Sequence, residues 1–535
     1  MLILFVCFPA IIAGLTIGIG MTFGTLSHVN TYFHASKLLA DRNHTIIFSS
    51  LSQYSKFTKD YPHIKNYDMG SFQRNDDEAI FNRMFKLEQL DLTHALSLRT
   101  KFYEQYEESI IKYREFHSKY KVDLMLCDFM GADACMAATT EKNITWGMLA
   151  SLDYIGFGSQ WYIPQKFGTP SIQKQFIEDY WTRTLDFLKF LQALPKLFEI
   201  EKKEQLIKDR LGLGLIPKHD MRKTLVFAHS FLGLVYPRPL PSNAIVFGPM
   251  ISRDTTPIEQ DIQTKLNAFH SKGISVVFIA FGSVANLEKV GIADKLVESI
   301  DLLLSKSDKI AVVWAVSFTN TDLNPLSSKF KNRFVHQPWV QQKHVLDHPA
   351  VKVFLTHGGQ GSIHESIFFG KPLVVCPLFA DQFANAMMLI DAGIGLQVKK
   401  YEFDPDELAD KLILMLNAVG SNFTIPTERI QVLTTGYSPE WLQNVKKNVD
   451  RFKTIAVMNS AYHPRMVADA MEMAASVGYQ HLIPADVNLT LFDRVPFYVV
   501  LMTVLTITFL INKFLQMLKW IFYRLVMRKK KLKTD

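Results

Sequence analysis

Two α/β units, each a parallel sheet covered by helices on both faces, followed by a C-terminal membrane helix: this is the architecture the sequence predicts. Three observations carry it. The chain has 535 residues, more than one ordinary hydrophobic core organises. Continuous apolar runs alternate with helical periodicity, reach Gly248-Pro249, and then start again. Residues 495–512 carry no charge, and a strongly basic tail follows them.

Taken in order, Met1 to Leu26 contain no charged side chain. An uncleaved helix is one reading of that stretch. The other is a signal peptide over residues 1–14, because Gly14, Gly18, Gly20 and Gly24 suit a buried strand better than a helix. Leu15–Phe23 then reads as a strand, Val29–Leu39 as a helix and Thr45–Phe48 as a second strand. Glu78–His117 is a long, charged helical region, and Val122–Cys127 is a strand ending at Asp128. Phe157–Phe167 breaks into an aromatic, glycine-containing loop, and Gln173–Lys218 returns to helical periodicity. Ala244–Met250 is a strand running into the Gly248-Pro249 linker, so the first domain is expected over 15–248 and the second over 249–440. In the second, strand Ile274–Phe281 ends at Gly282-Ser283, helix Ala293–Leu304 follows, and strands Ile310–Val316 and Arg333–His336 come next. Past about residue 440 the chain turns helical again, giving a segment 441–494 before the apolar span 495–512 and the tail 513–535.

The segment Trp339 to Gln382 is the most specific of all, reading WVQQKHVLDHPAVKVFLTHGGQGSIHESIFFGKPLVVCPLFADQ. An apolar strand ends in His357, Gly358 and Gly359, a helix begins near Ser362 and carries Glu365, and a second strand ends in Asp381-Gln382. Strand, glycine turn, helix, strand and polar tip is how α/β proteins hold a nucleotide at the carboxyl ends of their strands. Gly358, Gly359 and Gly361 let backbone N–H groups approach a phosphate, and the helix start adds its positive dipole end.

From its first Trp to its final Asp-Gln this segment resembles the 44-residue signature box of the UDP-glycosyltransferases. The resemblance implies that Trp339 stacks on uracil, Gln342 contacts the nucleoside, and His357 with the following loop holds the diphosphate. It implies that Glu365 binds the ribose hydroxyls, and that Asp381 and Gln382 bind the sugar. One departure stands out: Gly361 occupies a position where many members place Asn, so a side-chain amide is missing there. His481-Leu-Ile-Pro-Ala485 before Asn488-Leu-Thr is similar to the segment preceding the membrane span of animal-type UDP-glucuronosyltransferases. The implied fold is GT-B, two facing Rossmann-like domains, although the first half matches only at short motifs.

Sugar transfer from UDP to a hydroxyl needs a base for the acceptor and stabilisation of the leaving diphosphate. A histidine oriented by a carboxylate suits the first task near neutral pH. His28 follows the first strand at the start of the first helix, and Asp128 ends a later strand. Parallel strands bring their carboxyl ends to one edge, so residues 100 apart can meet. These are also the positions of the family's catalytic pair. The diphosphate is expected to be met by His357, Ser283 in the Gly282-Ser283 turn and the helix dipole, with no metal and no cofactor beyond the UDP-sugar co-substrate. Phe157, Trp161 and Tyr162 are candidates to line a pocket for a lipophilic alcohol, phenol or sterol-like acceptor, or simply to pack. An endogenous sterol or sphingolipid acceptor is the neighbouring reading, and a catalytically silent nucleotide-sugar-binding subunit is one of another class.

Charge and cysteines bound the rest. Of the net +8, residues 512–535 supply +7 through eight Lys/Arg against Asp535, so the body is nearly neutral and a nucleic-acid surface is excluded. The basic tail is expected to be cytosolic and everything before the span lumenal in the endoplasmic reticulum. Eighteen helical residues reach about 27 Å, close to that membrane's hydrocarbon thickness. Lys531 and Lys533 resemble a dilysine retrieval signal, and the sequons at Asn43, Asn143, Asn422 and Asn488 agree with a lumenal body. Cys7, Cys127, Cys135 and Cys376 show no zinc spacing, and Cys127 and Cys376 read as buried apolar filler, so neither a disulfide nor a metal site is expected. Association into homo-oligomers stays open.

Overall fold

The computed structural model describes residues 14–72, 104–150, 180–213, 221–235, 240–252, 259–282, 285–316, 321–435, 440–488 and 497–531. Met1–Leu482 and Ile483–Asp535 are separate compact units. The first contains two parallel sheets. One is built from β1 (Thr16–Met21), β2 (Thr45–Ser50), β3 (Ile64–Asp68), β4 (Leu124–Asp128), β5 (Thr145–Ala150), β6 (Leu225–His229) and β7 (Ala244–Phe247), in the order β3-β2-β1-β4-β5-β6-β7. The other is built from β8 (Ser275–Ala280), β9 (Ile310–Ala315), β10 (Phe334–Gln337), β11 (Val351–Thr356), β12 (Leu373–Val375) and β13 (Gly395–Gln397), in the order β10-β9-β8-β11-β12-β13.

Both orders share one property that decides where a ligand can sit. The chain adds strands outward from β1 to β3, then jumps back so that β4 pairs with β1; likewise β11 pairs with β8 after β10. The connections leave in opposite directions at those two pairs, and a crevice opens beyond the strands' carboxyl ends. His28 and Asp128 follow β1 and end β4, while Gly282 and His357 follow β8 and β11.

The strands form where the residues are apolar, often β-branched, and buried on both faces, as in β8 (SVVFIA) and β11 (VKVFLT), where Phe278 stacks on Phe354 at 4.9 Å. β1 is different because Gly18 and Gly20 alternate with Ile17, Ile19 and Met21. A Cβ on Gly18 would lie 2.6 Å from Met125 Sδ, and one on Gly20 would lie 2.8 Å from the Tyr113 hydroxyl. The glycines therefore admit large neighbours against the strand that leads to His28.

Helix α1 (Leu26–Asp41) begins after Thr25 and ends at Arg42, with Asn43 in the left-handed region at φ 66° turning the chain into β2. α2 (Tyr106–Lys119) is the described part of the expected Glu78–His117 helix, whose earlier residues lie largely outside the described ones. α3 (Ala132–Glu141) follows β4, and α4 (Tyr180–Arg210) falls within the expected 173–218 helical region. In the second half, α5 (Gln342–Asp347), α6 (Gln360–Phe368) and α7 (Gln382–Asp391) carry the signature segment. β5 and β6 are short runs, TWGMLA and LVFAH, that the sequence reading passed over. Runs of that length do not distinguish strand from buried helix by periodicity.

Helix α8 (Trp441–Val477) divides between the two cores. Trp441, Val445, Val449, Phe452 and Ala456 belong to the core of the second sheet, and Val467, Ala468, Met471 and Ala474 belong to that of the first. Between them, His463 Nδ1 accepts the Gly248 N–H at 2.9 Å, Asn459 donates to the Gly248 carbonyl at 2.8 Å, and Ser460 Oγ accepts the Ile251 N–H at 3.1 Å. The expected linker is thus held by the helix that crosses it.

The expectation of no disulfide is corrected: Cys127 and Cys135 are bonded, with Cα atoms 5.8 Å apart. Phe129–Gly131 form one tight turn, which folds the start of α3 back over the end of β4 and brings the two sulfurs together. Reading Cys127 along its own strand could not reveal a partner on the next element. Cys376 is free and buried, its thiol pushed up to about 12 by burial.

In the second unit, α9 (Phe497–Lys531) is one continuous helix, and its stretch Phe497–Arg524 is long and apolar enough to cross a membrane. The expected span ended at Asn512, before Lys513. The helix continues because Phe514, Leu515, Met517, Leu518, Trp520, Ile521 and Phe522 keep it apolar without a Gly or Pro to stop it.

Candidate active site

His28 lies in the first turn of α1 and meets Asp128 as the sequence predicts. Its Nδ1 is 3.3 Å from Oδ1 and 3.2 Å from Oδ2 of the carboxylate. Gly24, at φ +144°, makes this approach feasible, since a Cβ there would lie 2.7 Å from His28 Nδ1. Phe129 stacks on the imidazole at 5.3 Å and fixes its plane. Asp128 is 1% exposed, and its Oδ1 also accepts the Met130 N–H at 3.2 Å. Tyr32 and Tyr113 stand close enough to feel its charge; burial first, and then Asp128, hold both phenols well above their ordinary value. A neutral, buried wall thus surrounds the carboxylate, and the ring's other nitrogen, Nε2, is the one left to meet a substrate.

The second crevice is shaped around His357. Its ring fits against two glycines: a Cβ on Gly282 would lie 2.9 Å from Cε1, and one on Gly359 would lie 2.5 Å from Nε2. Thr356 Oγ1 shares a 3.2 Å hydrogen bond with His357 Nδ1. Burial lowers the imidazole to about 4, so near neutral pH it is an uncharged hydrogen-bonding group. Gly358, at φ +84°, turns the chain into α6, and Gly361 faces open space, with nothing within 4 Å of where its Cβ would be. Gln342 Nε2 donates to Ser362 Oγ at 3.2 Å and to Glu365 Oε2 at 2.7 Å. Burial raises the Glu365 carboxyl, while the Gln342 bond and the Lys343 charge oppose it. Trp339 follows β10 and is 67% exposed.

At the end of β12, Ala380 takes a positive φ of 54°, and Asp381 and Gln382 start α7. Gln382 Oε1 accepts the N–H groups of Leu378 at 2.9 Å and Phe379 at 3.1 Å, so the amide oxygen is committed to bracing its own loop. Burial raises the Asp381 carboxyl, and the Asn385 amide, its own backbone and the charge of His28 lower it.

Side chains absent from the sequence reading join the same two edges. Gln360, at the start of α6, donates its amide to the His229 carbonyl at the end of β6. His364 Nδ1 and His229 Nε2 are 3.2 Å apart. Burial lowers His229 to about 3, with His463 adding to it, and takes His364 well below its ordinary value, so the pair meets as neutral rings. Gln360 and His364 are i,i+4 on one helix, a pattern visible in the sequence, but nothing there names their partner across the crevice.

Ser283, Phe157, Trp161 and Tyr162 lie outside the described residues. Asn43, Asn143, Asn422 and Asn488 are all exposed, the first two at the left-handed ends of αβ turns. Among the described residues, no three His, Cys, Asp or Glu side chains converge as a metal site would require.

Residues 162–419 match the family described as "UDP-glucoronosyl and UDP-glucosyl transferase". A "UDP-glycosyltransferase" of Talaromyces amestolkiae is 25% identical over 448 residues, covering 78% of this chain and 83% of that protein. A human "2-hydroxyacylsphingosine 1-beta-galactosyltransferase" is 25% identical over 317 residues, covering 56% of this chain and 54% of that protein, so that relative is spanned over about half its length. The structure of CalG4, the calicheamicin glycosyltransferase, superposes with a TM-score of 0.57 at 14% identity, over 87% of this chain and 100% of that one. The shared fold is GT-B.

Proposed function

The chain belongs to the UDP-glycosyltransferase family, and from that premise we propose that it moves a hexosyl group from a UDP-sugar to a hydroxyl of a lipophilic acceptor in one inverting step. The observation that carries the reading is the His28–Asp128 pair, 3.2–3.3 Å apart where β1 and β4 end side by side.

The proposed step is balanced within the site. His28 Nε2 takes the acceptor's hydroxyl proton as the oxygen bonds to the anomeric carbon. The bond from that carbon to the β-phosphate oxygen breaks, and UDP leaves with the electron pair. Attack opposite the leaving group inverts the anomeric centre, giving a β-glycoside from an α-linked donor. Asp128 stabilises the imidazolium that forms. The neutral His357 ring and the amides at the start of α6 meet the charge that develops on the diphosphate. Trp339 offers its face to uracil, Glu365 an acceptor for ribose hydroxyls, and Asp381 one for sugar hydroxyls.

A lipid acceptor is the favoured form of this reading, because the chain carries an apolar C-terminal helix and one relative is named for transfer to an acylsphingosine. We place the body in the lumen of the endoplasmic reticulum and the basic tail in the cytosol, in keeping with four exposed sequon asparagines and the Lys/Arg bias of the tail.

The experiment is a donor panel on the full chain in lipid: UDP-glucuronic acid, UDP-glucose, UDP-galactose and UDP-N-acetylglucosamine, against phenols, sterols and ceramides. Product from one donor with inverted configuration is expected. Saturable UDP binding with no product from any pair would favour the silent binding subunit instead.

A further inference from the structure

We propose that Asn385 is a positioning residue that locks the loop bearing Asp381 to the glycine turn at Gly358, so that sugar and diphosphate are held by one rigid body. The proposal rests on the donor reading given above.

Asn385 sits in the first turn of α7 and is buried. Its Nδ2 donates to Asp381 Oδ2 at 2.7 Å and to the Gly358 carbonyl at 3.0 Å. A carboxamide nitrogen has two hydrogens, and these two acceptors use both. The first bond alone would be an ordinary contact within one helix turn. The second reaches a different element, 27 residues away in sequence, on the turn that leads into α6. Those backbones are already packed against one another, since a Cβ on Gly358 would lie 2.6 Å from Val375 Cγ1 and 3.5 Å from the Gln382 carbonyl. Gln382 braces the loop internally through Leu378 and Phe379, and Asn385 ties it outward.

The bond that breaks during transfer lies between the group held by Asp381 and the group held by the turn. Slack between the two holders would leave each half of the donor bound yet blur the angle of attack at the anomeric carbon, and reaction rates are steeply sensitive to such displacement. Asn385 also bears on the charge of Asp381. Burial pushes that carboxyl up, and the amide bond is the largest effect that brings it down. The charged group that bears on it is His28 from α1, and Lys400 donates its amine to the Leu378 carbonyl of the same loop at 3.1 Å.

The test uses the full chain in lipid with Asn385→Asp, which keeps shape but removes both donors, and Asn385→Ala, which removes the group without adding charge. UDP affinity by calorimetry should stay within about threefold of wild type for both. Turnover should fall at least about tenfold, as expected when a buried carboxylate and carbonyl lose their donor. The acid limb of the kcat/KM profile should move to higher pH, further for Asn385→Asp than for Asn385→Ala. Amide exchange should rise together in residues 357–361 and 378–382. Turnover within threefold with an unmoved acid limb would overturn the proposal, and so would an exchange increase confined to 378–386. If the wild-type chain transfers no sugar, the functional reading falls by that result alone, and the exchange pattern still decides whether Asn385 couples the two loops.

Discussion

Replacing Asp128 with Asn tests the proposed chemistry at its most buried point. The carboxylate is 1% exposed, and both oxygens lie 3.2–3.3 Å from His28 Nδ1. The substitution preserves shape, and its side-chain oxygen can still accept the Met130 N–H, so the turn into α3 survives. What it removes is a full charge facing the imidazolium. Two unit charges about 4 Å apart interact by about 4 kcal/mol at an effective dielectric constant near 20. Only part of that charge exists at the transition state, so roughly 2–4 kcal/mol of barrier is at stake, or on the order of 30- to 1000-fold in kcat. The assay is single-turnover product formation at saturating UDP-sugar, with UDP affinity measured alongside. UDP affinity should be unchanged, because the residues proposed to hold the nucleotide are on the other sheet. A kcat within tenfold of wild type would refute the dyad, and a parallel loss of UDP affinity would show that Asp128 supports the fold and not the base.

The remaining predictions address the proposed base, the proposed nucleotide contacts and one buried imidazole. His28→Ala should abolish transfer while leaving UDP affinity intact, read by the same pair of assays. Trp339→Ala should weaken UDP and every UDP-sugar alike by about tenfold or more, since an indole that is 67% exposed costs little in folding to remove and base stacking is worth roughly 1–3 kcal/mol; unchanged UDP calorimetry would mean that the ring serves another purpose. Gly361→Asn should be tolerated, since nothing lies within 4 Å of the new Cβ, and should tighten UDP by restoring an amide beside the diphosphate turn; weaker binding would count against that placement. His357 binds its proton at about 4 when folded and at 6.5 when unfolded, so the unfolded state gains protons between those values and stability falls as pH drops from about 6.5 towards 4. His357→Gln should flatten that acid loss by up to about 3 kcal/mol in denaturant titrations across the window.

How much of this was legible in the sequence depended on distance along the chain. The signature segment could be read residue by residue because its strand, turn, helix and strand are contiguous, and Gln342, Glu365 and His357 each contact partners from within it. The His28–Asp128 pair was legible for a topological reason: parallel strands align their carboxyl ends, so a residue after β1 and one ending β4 had to be neighbours. What the sequence hid were pairings decided by how separate elements pack. His229 meets His364 across 135 residues, Asn385 reaches Gly358 from the next helix, and Cys135 finds Cys127 through a turn whose sharpness no periodicity announces. The acceptor loop remains an expectation from sequence, since Phe157, Trp161 and Tyr162 fall outside the described residues.

Helix α8 has a consequence for anyone recombining this enzyme with a relative. Because Val467, Ala468, Met471 and Ala474 are built into the core around β1 and β4, the module around the first sheet is discontinuous in sequence: its last pieces arrive some 200 residues after Gly248. A chimaera joined at the linker alone would dress a foreign N-terminal sheet with native α8 side chains. It would also mismatch Arg42, which pairs with Asp469 and Glu472. Exchanging the first sheet between family members therefore calls for two junctions, one near Pro249 and one near Pro464, so that the final four turns of the helix travel with the sheet they cover.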